Sequence, residues 1–133
     1  MNSLYTSGLL VLHNNRLLLT FSKNKKAWYL PGGKLDKNES SLEALVREIK
    51  EELSLELNSK ELTFYTHISA PAYGEDNLQM EQDCFLYDLK TEIKPTNEIE
   101  AIKYFSFDEY KKEEIQVIGV LQVFEQLNKD RLI

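Results

Sequence analysis

The sequence predicts an α/β or α+β domain on a mixed sheet, because strand-like runs alternate with two substantial helical segments. Three observations carry this. Residues 4–21 read as a hairpin, a capped acidic helix follows a pair of glycines, and apolar residues recur at threes near the end of the chain. At 133 residues, the chain reads as one domain spanning residues 1–133, with enough length for its own core.

Taken in order, residues 4–13 look like a strand, Asn14-Asn15 like a two-residue turn and residues 16–21 like the returning strand. Residues 62–68 are β-rich, with Thr63, Phe64, Tyr65 and Thr66 in succession. Residues 70–77 hold Pro71, Gly74 and Asp76 and read as a loop, and residues 82–89 form the next strand. Residues 99–105 alternate Ile99, Ala101 and Lys103 against Glu100, Ile102 and Tyr104, a further strand. Ser106 with Glu109 makes a capping box for a short helix. Ile115, Ile118, Leu121, Phe124 and Leu127 then mark an amphipathic helix.

The helix after the glycine pair holds the chemistry. Ser40 with Glu43 is a capping box, so the helix starts there. Leu42, Leu45, Val46, Ile49 and Leu53 form one stripe, while Glu48, Glu51 and Glu52 fall on an arc beside it. Like charges at this spacing destabilise a helix by a few tenths of a kcal/mol. Stacking them nonetheless suits a divalent cation such as Mg2+, which wants oxygen ligands. An ordinary solvated acidic face fits the same three glutamates. Gly32-Gly33 lets the backbone turn tightly and come close to a ligand.

Residues 33–55 carry a resemblance to a known family. Gly33, Glu39, Arg47-Glu48, Ile49, Glu51-Glu52 and Leu55 stand at the spacing of the Nudix box. Ser54 departs from the pattern, which usually has glycine there as a left-handed helix stop. Trp28-Tyr29-Leu30-Pro31-Gly32-Gly33 also resembles the approach to that box. The resemblance implies the Nudix fold, a mixed sheet sandwiched between helices. It also implies a Mg2+-dependent hydrolase, with Mn2+ as substitute, that cleaves a pyrophosphate bond in a nucleoside diphosphate derivative. Glu48, Glu51, Glu52 and the Gly33 carbonyl would hold the metal, Arg47 would hold a glutamate in place, and Glu39 would brace loop and helix. Glu51 or Glu48 would take the proton of the attacking water, a choice the sequence leaves open. Arg47 is four residues from both Glu43 and Glu51, so pairing with each is expected, and a plain helix-surface salt bridge is the alternative role.

Beyond the box, Lys23, Lys25 and Lys26 are candidates to meet phosphates, and Trp28, Tyr29, Phe21 and Tyr73 to stack on a base. Core packing competes for Phe21 and Trp28. Glu81, Asp83, Glu98 and Glu100 include candidates for one more metal ligand. His13 and His67 read as structural, and Cys84, the only cysteine, as a buried packing thiol. Substrate clues conflict. Pro71, sixteen residues after Leu55, resembles members acting on ADP-ribose, whereas Tyr73, eighteen after, resembles those acting on dinucleoside polyphosphates. Nucleoside triphosphates stay open.

A net charge of −6 argues against a binder of nucleic-acid polymers or anionic membranes. The apolar run at residues 8–12 is too short to span a bilayer, and no basic start precedes it, so a cytoplasmic protein is the expectation. Many Nudix proteins are dimers, which leaves a homodimer open. The competing functions are a catalytically silent Nudix-like nucleotide sensor and an interaction domain with an acidic helix.

Overall fold

Asn14 and Asn15 both take positive φ, 52° and 60°, as a tight two-residue hairpin turn of the primed kind requires. The turn joins β2 (Leu12–His13) to β3 (Arg16–Ser22). The computed structural model describes residues 2–94 and 99–133. Residues 4–13, expected as one strand, prove to be two. β1 (Asn2–Leu10) belongs to one sheet and β2 to the other, with Val11 as the crossing point.

The first sheet runs β5-β1-β7-β6, adding β5 (Gly32–Lys34), β7 (Leu78–Leu86) and β6 (Thr63–Pro71). β1 lies parallel to β7, while the β1–β5 and β6–β7 pairs are antiparallel, so the sheet is mixed. The second sheet places β3 between β4 (Ala27–Tyr29) and β8 (Ile99–Phe105), with β2 at the hairpin end. β7 starts four residues before the expected strand, and β6 runs on to Pro71, so the loop shrinks to residues 72–77. Both strands lengthen because each finds a partner in the other, which local propensity cannot report.

Among the described residues there are three α-helices, α1 (Ser41–Leu53), α2 (Phe107–Tyr110) and α3 (Ile118–Lys129), and a short 3-10 helix at Ser59–Glu61. Both expected capping boxes form, Ser40 with Glu43 and Ser106 with Glu109. Leu45, Ile49 and Leu53 of α1 bury against Leu9, Leu18 and Phe85. At about 1.5–3 kcal/mol for each fully buried side chain, this stripe anchors the helix. Val120, Val123, Phe124 and Leu127 of α3 pack with Leu10, Ile68 and Cys84 in a second cluster. Leu9 and Leu10 thus serve opposite faces of β1, and the two helices enclose the sheet.

The α3 stripe differs from the expected recurrence at threes. An α-helix turns every 3.6 residues, so a spacing of three drifts off any face. The buried positions are instead 119, 120, 123, 124 and 127, and Ile118 is left 47% exposed. Among the described residues no helix is long and apolar enough to cross a membrane.

Candidate active site

The acidic arc of α1 faces the loop that leads into it, and Arg47 ties the two together. Its Nε and Nη2 donate to the two oxygens of Glu39, each at 2.9 Å. Nη1 donates to Glu48 Oε1 at 2.8 Å, and Nη2 also reaches the Lys34 carbonyl at 3.0 Å. Asp36 lies 3.4 Å and Glu51 3.6 Å from the same guanidinium. A planar fork with five donors makes these four hydrogen bonds at once and grips Glu39 through both oxygens, whereas a lysine has only three donors on a single nitrogen. The hydrogen bonds from Arg47 hold the Glu39 carboxyl down at about 2, and the Asp36 amide adds to this. The same contacts raise Arg47. Burial pushes Glu48 up, against the pull of Arg47. Glu43 does not pair with Arg47 as expected. Its carboxylate accepts from the Ser40 amide at 2.9 Å, because the helix N-terminus competes for it.

The two glycines explain their own positions. Gly32 has φ 139°, and a Cβ there would lie 2.0 Å from the Ser7 carbonyl oxygen. A Cβ on Gly33 would lie 2.3 Å from Glu48 Oε2, so the carboxylate occupies the space that a side chain would fill. The Gly32 amide donates to Glu52 Oε1 at 3.3 Å, and Glu52 points towards the glycine turn. Ser54 caps α1 in the left-handed conformation, φ 52° and ψ 34°, and its amide donates to the Lys50 carbonyl. Serine therefore does what glycine usually does here.

Whether these residues suit a cation can be judged from two features. Ser7 Oγ is fully buried without a hydrogen-bond partner among the described residues, and Ser7 pairs with Gly33 across the sheet, so it stands on the face that carries Glu48. The Gly33 hollow is filled by a carboxylate, and the donors are hard oxygens. The chemistry fits a hard divalent ion. Among the described residues, no group of three or more His, Cys, Asp and Glu side chains is already arranged to hold a metal ion. Here Arg47 supplies the charge that balances the glutamates.

A cleft of about 570 Å3 opens beside the cluster, lined by Gly32, Gly33 and Glu52 at one end. Tyr29 and Tyr73 flank it with ring centroids 6.4 Å apart at 65°, and burial lifts Tyr29 to about 12. Lys25 is in its wall, bonded to Glu75 at 3.0 Å and to the Tyr73 carbonyl at 3.5 Å. Lys23 is exposed in the turn before β4, outside the cleft lining. Trp28 also lies outside the lining, packed edge-on between Phe21 and Phe105 with centroids 5.2 and 4.9 Å away.

Glu81 and Asp83 are both engaged by an imidazole. His67 bridges them on the exposed face of β6–β7, Nε2 to Glu81 at 2.9 Å and Nδ1 to Asp83 at 2.7 Å. Glu100 is exposed on β8, and Glu98 lies outside the described residues. Cys84 is buried, and its burial pushes the thiol up to about 12. The cleft also draws in Thr6, Lys34 and Gln82, which sequence reading passed over. A signal existed for Gln82: it alternates with Met80 and Cys84, a polar residue at an inward position of an apolar strand face.

A family model of the NUDIX domain matches residues 4–124. The chain belongs to the Nudix family. It is 28% identical over 118 residues to the m7GpppN-mRNA hydrolase of Saccharomyces cerevisiae, covering 83% of this chain but 11% of the yeast protein. The MutT Nudix hydrolase of Burkholderia pseudomallei superposes with a TM-score of 0.79 at 22% identity, covering 96% of this chain and 99% of that one. A bifunctional NMN adenylyltransferase/ADP ribose pyrophosphatase of Francisella tularensis, in complex with AMP and a Mn ion, gives 0.71 at 22%, covering 96% and 42%. At such identities the structural likeness is one of fold.

Proposed function

We propose that the protein is a Mg2+-dependent hydrolase of a phosphoanhydride bond in a nucleoside diphosphate derivative, whether a nucleoside triphosphate, ADP-ribose or a nucleotide sugar, or a dinucleoside polyphosphate. One observation carries this reading: the Arg47-bound glutamates of α1 meet the Gly32-Gly33 turn at the end of a cleft sized for a nucleotide. Glu48, Glu51, Glu52 and the Gly33 carbonyl would hold the cation, and Mn2+ would substitute. The ion supplies charge neutralisation of the diphosphate and a more acidic water.

The protein's own groups do the rest. Arg47, fixed by Glu39, orients Glu48 and keeps the box helix docked on its loop. Glu51, whose side chain is 55% exposed against 19% for Glu48, accepts the proton of the incoming water. Tyr29 and Tyr73 hold the organic part of the substrate in place, so the reaction becomes effectively unimolecular. Net charge −6 favours a small nucleotide over a polymer, and a cytoplasmic site of action suits such a substrate.

The test is release of phosphate or nucleotide over a panel of these substrates, with Mg2+, with Mn2+ and with chelator. Metal-dependent turnover is expected, reduced by orders of magnitude in Glu51→Gln and Glu48→Gln with the fold intact. Nucleotide binding without turnover across the panel would establish the silent sensor instead.

A further inference from the structure

Thr6, Ser7, Thr20 and Gln82 are the buried polar side chains among the described residues, and three of them, Thr6, Thr20 and Gln82, line the cleft. Protein interiors leave polar groups unpaired only at a cost. The two threonines are paired, though at full stretch: Thr6 Oγ1 donates to the Glu81 carbonyl and Thr20 Oγ1 to the Tyr29 carbonyl, each at 3.4 Å. Gln82 is different. It is 8% exposed and its Oε1 accepts only a long contact from the Cys84 thiol at 3.9 Å, which leaves the carboxamide with capacity for a ligand.

Sheet register says where this amide stands. Gln82 pairs with Thr6, and Thr6 with Lys34, so all three side chains rise on the same face, and all three line the cleft. Two strand spacings put Gln82 about 10 Å across the sheet from the Gly33-Lys34 end. A substrate held by its diphosphate at that end would carry its ribose along the floor and its base over Gln82, beside Tyr29 and Tyr73. A carboxamide offers a donor and an acceptor side by side, the complement of a nucleobase edge, as in glutamine pairing with adenine.

We propose that Gln82 is a specificity-determining residue, hydrogen-bonding the polar edge of the substrate's nucleobase. The inference rests on the hydrolase reading of the cleft. It narrows the substrate to compounds whose base is read, and sets aside those in which only the diphosphate is gripped.

Two measurements separate this proposal from the reading beneath it. Affinities for AMP, CMP, GMP and UMP, which lack an anhydride bond, are measured by calorimetry for the wild type, Gln82→Leu and Gln82→Glu. The kcat and KM for the matching triphosphates are measured with Mg2+. The wild type should rank the four bases over about tenfold or more, the scale of one well-made hydrogen bond. Gln82→Leu should bring them within about threefold with kcat retained, the loss falling in KM. Gln82→Glu keeps the shape but removes the N–H donors, so it should reorder the bases, and it decides the matter alone if the leucine variant does not fold. An unchanged ranking in the folded variants, or no ranking in the wild type, overturns the role of Gln82. Base ranking in binding that Gln82→Leu abolishes, with no turnover of any triphosphate, would uphold Gln82 and reject the hydrolase.

Discussion

Replacing Gly33 by alanine isolates the contact between the glycine turn and Glu48. Gly33 is not among the glycines with positive φ, so alanine meets no backbone strain there. The new Cβ would lie 2.3 Å from Glu48 Oε2 and 2.4 Å from its Cδ. Ordinary contact begins at 3.4 Å, so the carboxylate must retreat by about 1.1 Å. The atom in the way is the end of a flexible side chain, and an off-rotamer glutamate costs about 0.5–1.5 kcal/mol. Its partner Arg47, bonded at 2.8 Å, has to follow or let go. A displacement of about 1 Å at a reacting site costs about 100-fold in rate, or about 2.7 kcal/mol of transition-state stabilisation. Gly33→Ala should therefore lower kcat/KM about 100-fold and lower Tm by only about 4 °C. Steady-state kinetics at saturating Mg2+ beside a thermal melt would read both. Activity within about threefold of wild type in a folded variant would refute the placing of Glu48 in the chemistry.

Three further outcomes follow from particular residues. Ser54→Gly relieves a left-handed serine at φ 52° and should raise Tm by about 4 °C, for about 1 kcal/mol, with activity unchanged; an unchanged melt would remove the argument for strain. His67 sits between two carboxylates, and only the imidazolium can donate to both, so its hydrogen bonds to Glu81 and Asp83 raise its pKa. Its stabilisation is full below the unfolded value of about 6.5 and is lost as pH rises through the raised folded value. The Tm gap between wild type and His67→Gln should therefore close towards alkaline pH, and a gap that widens there would reverse the assignment. Tyr73→Ala should raise KM about tenfold through lost stacking, whereas Trp28→Phe should leave KM alone and lower Tm; the opposite pattern would put Trp28 in the cleft.

Local chemistry was legible in the residues, and long-range pairing was not. Ser40 and Glu43, Ser106 and Glu109, and Asn14-Asn15 each declared a cap or turn because the partners lie within three residues. The box glutamates and Arg47 were visible for the same reason: one helix carries them. The cleft takes residues from β1, from β3 through β8, from α1 and from the loops between them, so no window of sequence contains it. Trp28 illustrates the limit. An aromatic next to a glycine turn could face a ligand or a core, and only the ring contacts with its cross-strand partner Phe21 and with Phe105 of β8 decide for the core. The crossing at Val11 was equally hidden, since both halves of residues 4–13 share one propensity.

The parallel pairing of β1 with β7 has a consequence for how the protein is made. Asn2 is partnered by Leu78, and the ladder closes only at Leu10 with Leu86. Translation proceeds from the amino end, so an apolar strand is exposed with most of its hydrogen-bonding edge unmet while some seventy more residues are added. Such distant pairing is slow to form, and a bare strand edge invites other chains. That topology predicts slow refolding, and more aggregation the faster the chain is synthesised.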